Sequence, residues 1–205
     1  MSKKGLIIDA VITWVDGNDP VHKAKMQQYL GKQPLVDNKT IKMRYGQINE
    51  IEYSVRSILK FAPFIRNIFI VTDEQTPDFL SDPVRAKKEF PSVRVVDHKV
   101  IFKEHSPYLP NFNSRSIASL MCKIPDLSEH FVYFNDDFFL LNEVKDEDFF
   151  IEGKPVIREI WTPFYENIWY KKAQGFFKSL RNKQEKKQAG YKLGQQTIAK
   201  ILGFK

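Results

Sequence analysis

Cysteine is nearly absent: the 205 residues include one, Cys122. A single thiol closes no internal disulfide, so nothing in the chain asks for an oxidising compartment. Cys122 itself reads as a small buried residue on a helix. Long apolar runs are missing as well. No stretch approaches the ~20 residues that span a bilayer. Asp9 and Asp16 break the apolar stretch behind the basic N-terminus, so a signal peptide is not expected and the cytoplasm is the expected location. There is no Gly-rich phosphate loop, no Cys/His cluster with zinc spacing and no Ser-centred elbow. These gaps argue against P-loop NTPases, zinc enzymes and serine hydrolases.

What is present describes a folded domain. Hydrophobic residues make up 42% of the chain and 17 residues are Phe, which suits a soluble globular core and not a disordered segment. The net charge of +7 is unevenly placed. Residues 171–205 carry ten lysines or arginines against one acid, Glu185, which leaves the rest of the chain at −2. The body is near neutral and the tail is basic, so the charge does not point to a nucleic-acid-binding fold.

Strand and helix patterns alternate. Residues 6–15 (LIIDAVITWV) read as a buried strand. Asp16-Gly17-Asn18-Asp19 is a turn, and Asp19 with Pro20 opens a helix to about Leu30. Residues 48–61 have mostly helical spacing and stop before Pro63. Further strands are expected at 67–72, 93–97 and 131–135, and a helix capped by Asn113 or Ser114 that reaches Cys122. The alternation argues for an α/β layer on a mostly parallel sheet. In such sheets ligands sit at the carboxyl ends of the strands. The four strands end in Asp16, Asp73, Asp97-His98 and Asn135-Asp136-Asp137. Acidic residues are common in turns, but four together on one rim favour a polar, metal-binding cleft.

Asn135-Asp136-Asp137 is the sharpest of these. It stands between two aromatic and apolar runs, where adjacent acids are costly to bury unpaired. Mg²⁺ or Mn²⁺ takes carboxylate oxygens and substrate phosphates and would remove that cost; a solvated turn is the competing reading. Trp14 to Pro20 places an indole and the Asp16 carboxylate beside a helix start, a setting for a base, ribose or phosphate, or for a core Trp and an ordinary cap. Arg44, Arg56 and Arg66 suit a diphosphate, with local ion pairs to Glu50 and Glu52 as the alternative. His98 titrates in the range of a general base.

The longer strings resemble a known family. IDAVITWVDGNDP at 8–20 is similar to the first conserved block of the Stealth family. The run from 44–80 through 93–102 and 109–121 to FVYFNDDFFLL at 131–141 resembles its second block. The family includes bacterial capsular and exopolysaccharide phosphotransferases and the catalytic part of the animal enzyme that tags lysosomal glycans. The resemblance implies a GT-A-like core over residues 1–160, a divalent metal and a UDP-sugar donor. It implies transfer of a sugar 1-phosphate to a hydroxyl of an oligosaccharide or lipid-linked glycan, with release of UMP. Carried onto this chain, Trp14 and Asp16 lie in the donor site, and Arg44, Asn49 and Arg56 support or contact the donor. Asp73 and His98 line the cleft, Asn113 and Ser114 face the diphosphate, and Asn135, Asp136 and Asp137 approach the metal. Asp16, His98, Asn113, Asp136 and Asp137 form the implied catalytic set. No counterpart of the family's two later blocks is read in 161–205. That segment is expected to be a basic helical extension, and it suits a peripheral contact with anionic membrane. Two rival readings remain. One is a glycosyltransferase on the same core that releases UDP. The other is a truncated, non-catalytic remnant that only binds a nucleotide sugar.

Overall fold

The structure is a computed structural model that describes residues 5–31, 46 and 48–158. The chain divides into two compact units, Met1–Val156 and Ile157–Lys205. The fold below is that of the first, and the basic segment 171–205 lies outside the described residues.

Four parallel strands form the sheet: β1 (Ile8–Thr13), β2 (Ile65–Thr72), β3 (Val93–Asp97) and β4 (His130–Asn135), in the order β3-β2-β1-β4. β1 is central and almost wholly buried. Its apolar run reflects a strand covered on both faces. Successive side chains point to opposite faces, so β1 and β2 divide between two cores. Ala10, Ile12, Ile68 and Ile70 enter one, and Val11, Phe69 and Val71 enter the other.

Helices cover both faces. α1 (Pro20–Leu30) follows β1; its cap is Asp19, whose carboxylate accepts the His22 N–H, and Pro20 holds the first helical position. α2 (Glu50–Phe61) buries Ile51, Val55 and Ile58 against the first core. That i, i+4, i+7 stripe is one helix face, and each side chain contributes ~1.5–3 kcal/mol by leaving water. α3 is Pro83–Glu89, capped by Asp82. α4 (His98–Ile101) and α5 (Ser114–Ser119) supply Ile101 and Ile117 to the second core. A two-residue hairpin, β5 (Phe150–Ile151) and β6 (Lys154–Pro155), closes the unit. The parallel sheet with flanking helices is the α/β, GT-A-like class expected from sequence. Among the described residues no helix is long and apolar enough to cross a membrane.

Two expectations need correction. Cys122 is exposed, because the helix that starts at Ser114 ends at Ser119. Leu120 leaves helical geometry, and Met121–Lys123 is a separate tight turn. Met121, not Cys122, fills the core there.

The amino end of the sheet is tied by one carboxylate. Asp9 is wholly buried and accepts four hydrogen bonds. Two come from Arg66 (Nε at 3.0 Å, Nη2 at 2.6 Å), one from Asn67 N (3.0 Å) and one from Ser128 N (2.7 Å). It joins β1, β2 and the approach to β4.

Candidate active site

The order β3-β2-β1-β4 puts a topological switch point between β1 and β4, where chain connections leave in opposite directions and a crevice opens at the carboxyl ends. A cleft of about 270 Å³ lies there. Thr13, Trp14 and Val15 line it from β1, and Tyr133, Asn135, Asp136 and Asp137 from β4. Thr13 pairs in register with Asn135, so Thr13, Tyr133 and Asn135 share one face of the sheet. The Thr13 and Tyr133 hydroxyls are 2.9 Å apart across the two strands. His22 of α1, His98 of α4, Phe112 and Ser114 at the start of α5 close the sides.

The Asn135-Asp136-Asp137 turn is held from behind by α2. Ser54 Oγ donates to the Phe138 carbonyl at 2.9 Å, and Ser57 Oγ accepts the Leu140 N–H at 3.0 Å. Burial pushes the Asp136 carboxyl above its usual range, and the nearby Asp137 and Glu50 carboxylates add to the rise. Among the described residues no basic side chain pairs with Asp136, and no group of three or more His, Cys, Asp or Glu side chains converges as a ready-made metal site. A desolvated acid beside two others, with no cation partner, fits a hard divalent ion that enters with its substrate. Mg²⁺ commonly takes only one or two protein carboxylates and completes its shell with water and phosphate oxygens.

His98 is buried, its Nδ1 has no hydrogen-bond partner, and burial lowers its pKa. Asp73 is also buried, but it lines a neighbouring cleft and not this one. His22 Nδ1 lies 3.2 Å from its carboxylate, and Lys25 Nζ lies 3.2 and 3.3 Å from its two oxygens. These contacts, the His22 bond first, hold Asp73 down to about 2.

The other expected residues have different placements. Asp16 turns back on its own loop, where its carboxylate accepts the Asn18 N–H and its backbone pairs with Gln75. Arg56 lies between Glu52 and Glu89 with its guanidinium over the Phe90 ring. Arg66 serves Asp9 at the far end of the sheet. Asp97 caps α4 and accepts the Glu74 N–H. None of these four lines the cleft. Asn49 is exposed, with left-handed backbone at the start of α2, and Asn113 caps α5 through the Arg115 N–H. Arg44 lies outside the described residues. Sequence reading passed over His22, Tyr133 and Phe112. The alternation of Tyr133 and Asn135 within β4 was the signal that could have found Tyr133, since every second residue of a strand shares a face.

Comparison with known proteins decides the lineage. Residues 8–34 match the model of Stealth protein conserved region 1, and residues 44–157, more than half the chain, match that of conserved region 2. This chain belongs to the Stealth family. It is 44% identical over 147 residues to a capsular polysaccharide phosphotransferase of Actinobacillus pleuropneumoniae, covering 70% of this chain and 38% of that protein. It is 41% identical over 143 residues to an exopolysaccharide phosphotransferase of Streptomyces coelicolor (70% of this chain, 25% of the relative). A capsular polysaccharide phosphotransferase of Neisseria meningitidis serogroup B is 40% identical over 149 residues (70% and 37%). The match therefore spans between a quarter and two-fifths of these relatives. The Stealth blocks of this chain map onto the rim described above: the first holds β1 and α1, and the second holds α2 through β4.

Proposed function

We propose that this Stealth protein transfers a sugar 1-phosphate from a UDP-sugar to a glycan hydroxyl, with release of UMP, in the synthesis of a capsular or exopolysaccharide. The observation that carries the reading is the cleft at the switch point, with the cation-deficient Asp136 at its mouth, in a chain similar to enzymes named as polysaccharide phosphotransferases.

Phosphoryl transfer asks a protein mainly for positioning and charge neutralisation. Asp136 and Asp137, with Asn135, would hold a Mg²⁺ or Mn²⁺ whose charge offsets the donor diphosphate. Ser114 and the Asn113 cap would face the phosphates from α5. The Thr13 and Tyr133 hydroxyls donate to and accept from the donor's polar groups, and Trp14 gives the β1 side of the cleft an apolar wall. Burial keeps His98 neutral at pH 7, so it is able to accept the proton of the acceptor hydroxyl. The hydroxyl oxygen then bonds to the phosphorus that carries the sugar. The bond from that phosphorus to the bridging oxygen breaks, and the electron pair leaves with UMP. Asp16 and Arg56 have local partners, so they support the site from a distance. The basic segment 171–205 would meet an anionic membrane or a lipid-linked acceptor. Unchanged liposome co-sedimentation after its deletion would remove that role.

The test is product analysis. The protein is incubated with UDP-N-acetylglucosamine, Mg²⁺ and oligosaccharide acceptors, and UMP is resolved from UDP by chromatography. Acceptor-dependent UMP is the expected result. UDP in its place indicates a glycosyltransferase, and neither nucleotide indicates a binding domain only.

A further inference from the structure

A second cleft adjoins the first. It encloses about 420 Å³, within the usual range for small-ligand sites. The two share a wall. Asp73 reaches His22 of the first cleft through one oxygen and Lys25 of the second through both. Phe112 lines the first, and its ring stands 5.4 Å from the rings of both His22 and Tyr29, the latter a residue of the second.

The second cleft is built for a neutral polar ligand. Lys25 pairs with Asp73 and Glu74, and Lys99 pairs with Glu74, so its charges cancel. A phosphate placed there would meet two carboxylates, and a cation would meet two ammonium groups. Sugar hydroxyls instead find acceptors in Glu74 and donors in Lys25, Lys99 and Gln28. Tyr29 is 67% exposed, and its ring, with Leu109 and Pro110, adds apolar lining. A pyranose has the matching pattern, with a hydroxyl rim and an apolar C–H face.

We infer that this cleft is a saccharide subsite, which holds the acceptor glycan while its terminal hydroxyl reaches the first cleft. The inference rests on the donor reading given above. A glycan outgrows a single cleft, and the shared wall makes this the adjoining surface.

Amide NMR spectra of the full chain, titrated separately with UDP-N-acetylglucosamine plus Mg²⁺ and with maltotriose, laminaritriose and triacetylchitotriose, test it. At least one trisaccharide is expected to shift the amides of Tyr29, Glu74 and Lys99. Tyr29→Ala should weaken that binding roughly tenfold, as loss of an aromatic anchor does. Tyr29→Phe should retain it, and nucleotide shifts at Thr13 and Asn135 should survive both changes. Absence of trisaccharide shifts at those three amides overturns the subsite, as does displacement of the trisaccharide by the nucleotide. Trisaccharide binding without nucleotide shifts at Thr13 and Asn135 leaves a saccharide site standing and sinks the donor reading, and with it the acceptor role.

Discussion

Asp9→Asn should destabilise the domain without touching the cleft. The carboxylate has four donors aimed at it and no exposure to water. An amide of the same shape offers one acceptor oxygen and places an N–H where a donor already points. About two of the four bonds are lost. An unsatisfied buried backbone N–H costs ~1–3 kcal/mol. Arg66 adds little, since its side chain is 43% exposed and its guanidinium can turn to solvent. The expected loss is about 1–3 kcal/mol, a sizeable share of the ~5–15 kcal/mol typical of a domain. For a chain of this length each kcal/mol lowers Tm by roughly 2–4 °C. Urea unfolding followed by circular dichroism measures the loss directly. Nucleotide affinity at low temperature should hold within about twofold, because Asp9 lies near the amino end of β1 and the cleft at its carboxyl end. A change in unfolding free energy below about 1 kcal/mol would refute the tie assigned to this residue.

Other perturbations address the site. Asp73 titrates near 2 in the folded chain, below its ordinary 3.8. It therefore stabilises the fold fully above pH ~4, by about 2 kcal/mol at 1.36 kcal/mol per unit, and that contribution fades as pH falls toward 2. Asp73→Asn should flatten the acid limb of stability in urea titrations between pH 4 and 2. Ser54→Ala frees the Phe138 carbonyl and should cost ~1–2 kcal/mol. It should also weaken Mg²⁺-dependent nucleotide binding several-fold in calorimetry, because the Asp136-Asp137 turn loses a brace. Asp136→Asn removes a desolvated charge beside Asp137 and Glu50. It should raise the melting temperature of the ligand-free protein at pH 7 and abolish the dependence of nucleotide binding on Mg²⁺; a lower melting temperature contradicts the strain assigned to this carboxyl.

Much of the fold was readable along the chain because its signals are local. β-branched runs mark β1 and β2, and Asp19-Pro20 is a cap whose chemistry is complete within four residues. The acidic strand ends were legible for the same reason, and parallel pairing does place them on one rim. Their use was not legible. Asp16 and Asp97 bond neighbours two residues on, Arg56 has two glutamates on different helices, and only the packing reveals such commitments. The cleft between β1 and β4 depends on strand order, which pairs residues more than a hundred positions apart; Thr13 and Tyr133 carry no sequence mark of their contact. Cys122 misled because the helical pattern after Ser114 continues past the point where the backbone leaves the helix.

The central claim is that the cleft between the ends of β1 and β4 takes a nucleotide sugar with a divalent ion. Calorimetric titration of UDP-N-acetylglucosamine, with and without Mg²⁺, into the wild-type chain and Asp137→Ala tests it most directly. The account predicts saturable binding that needs Mg²⁺ and is lost in the variant. Equal binding by both proteins, independent of the ion, would contradict it.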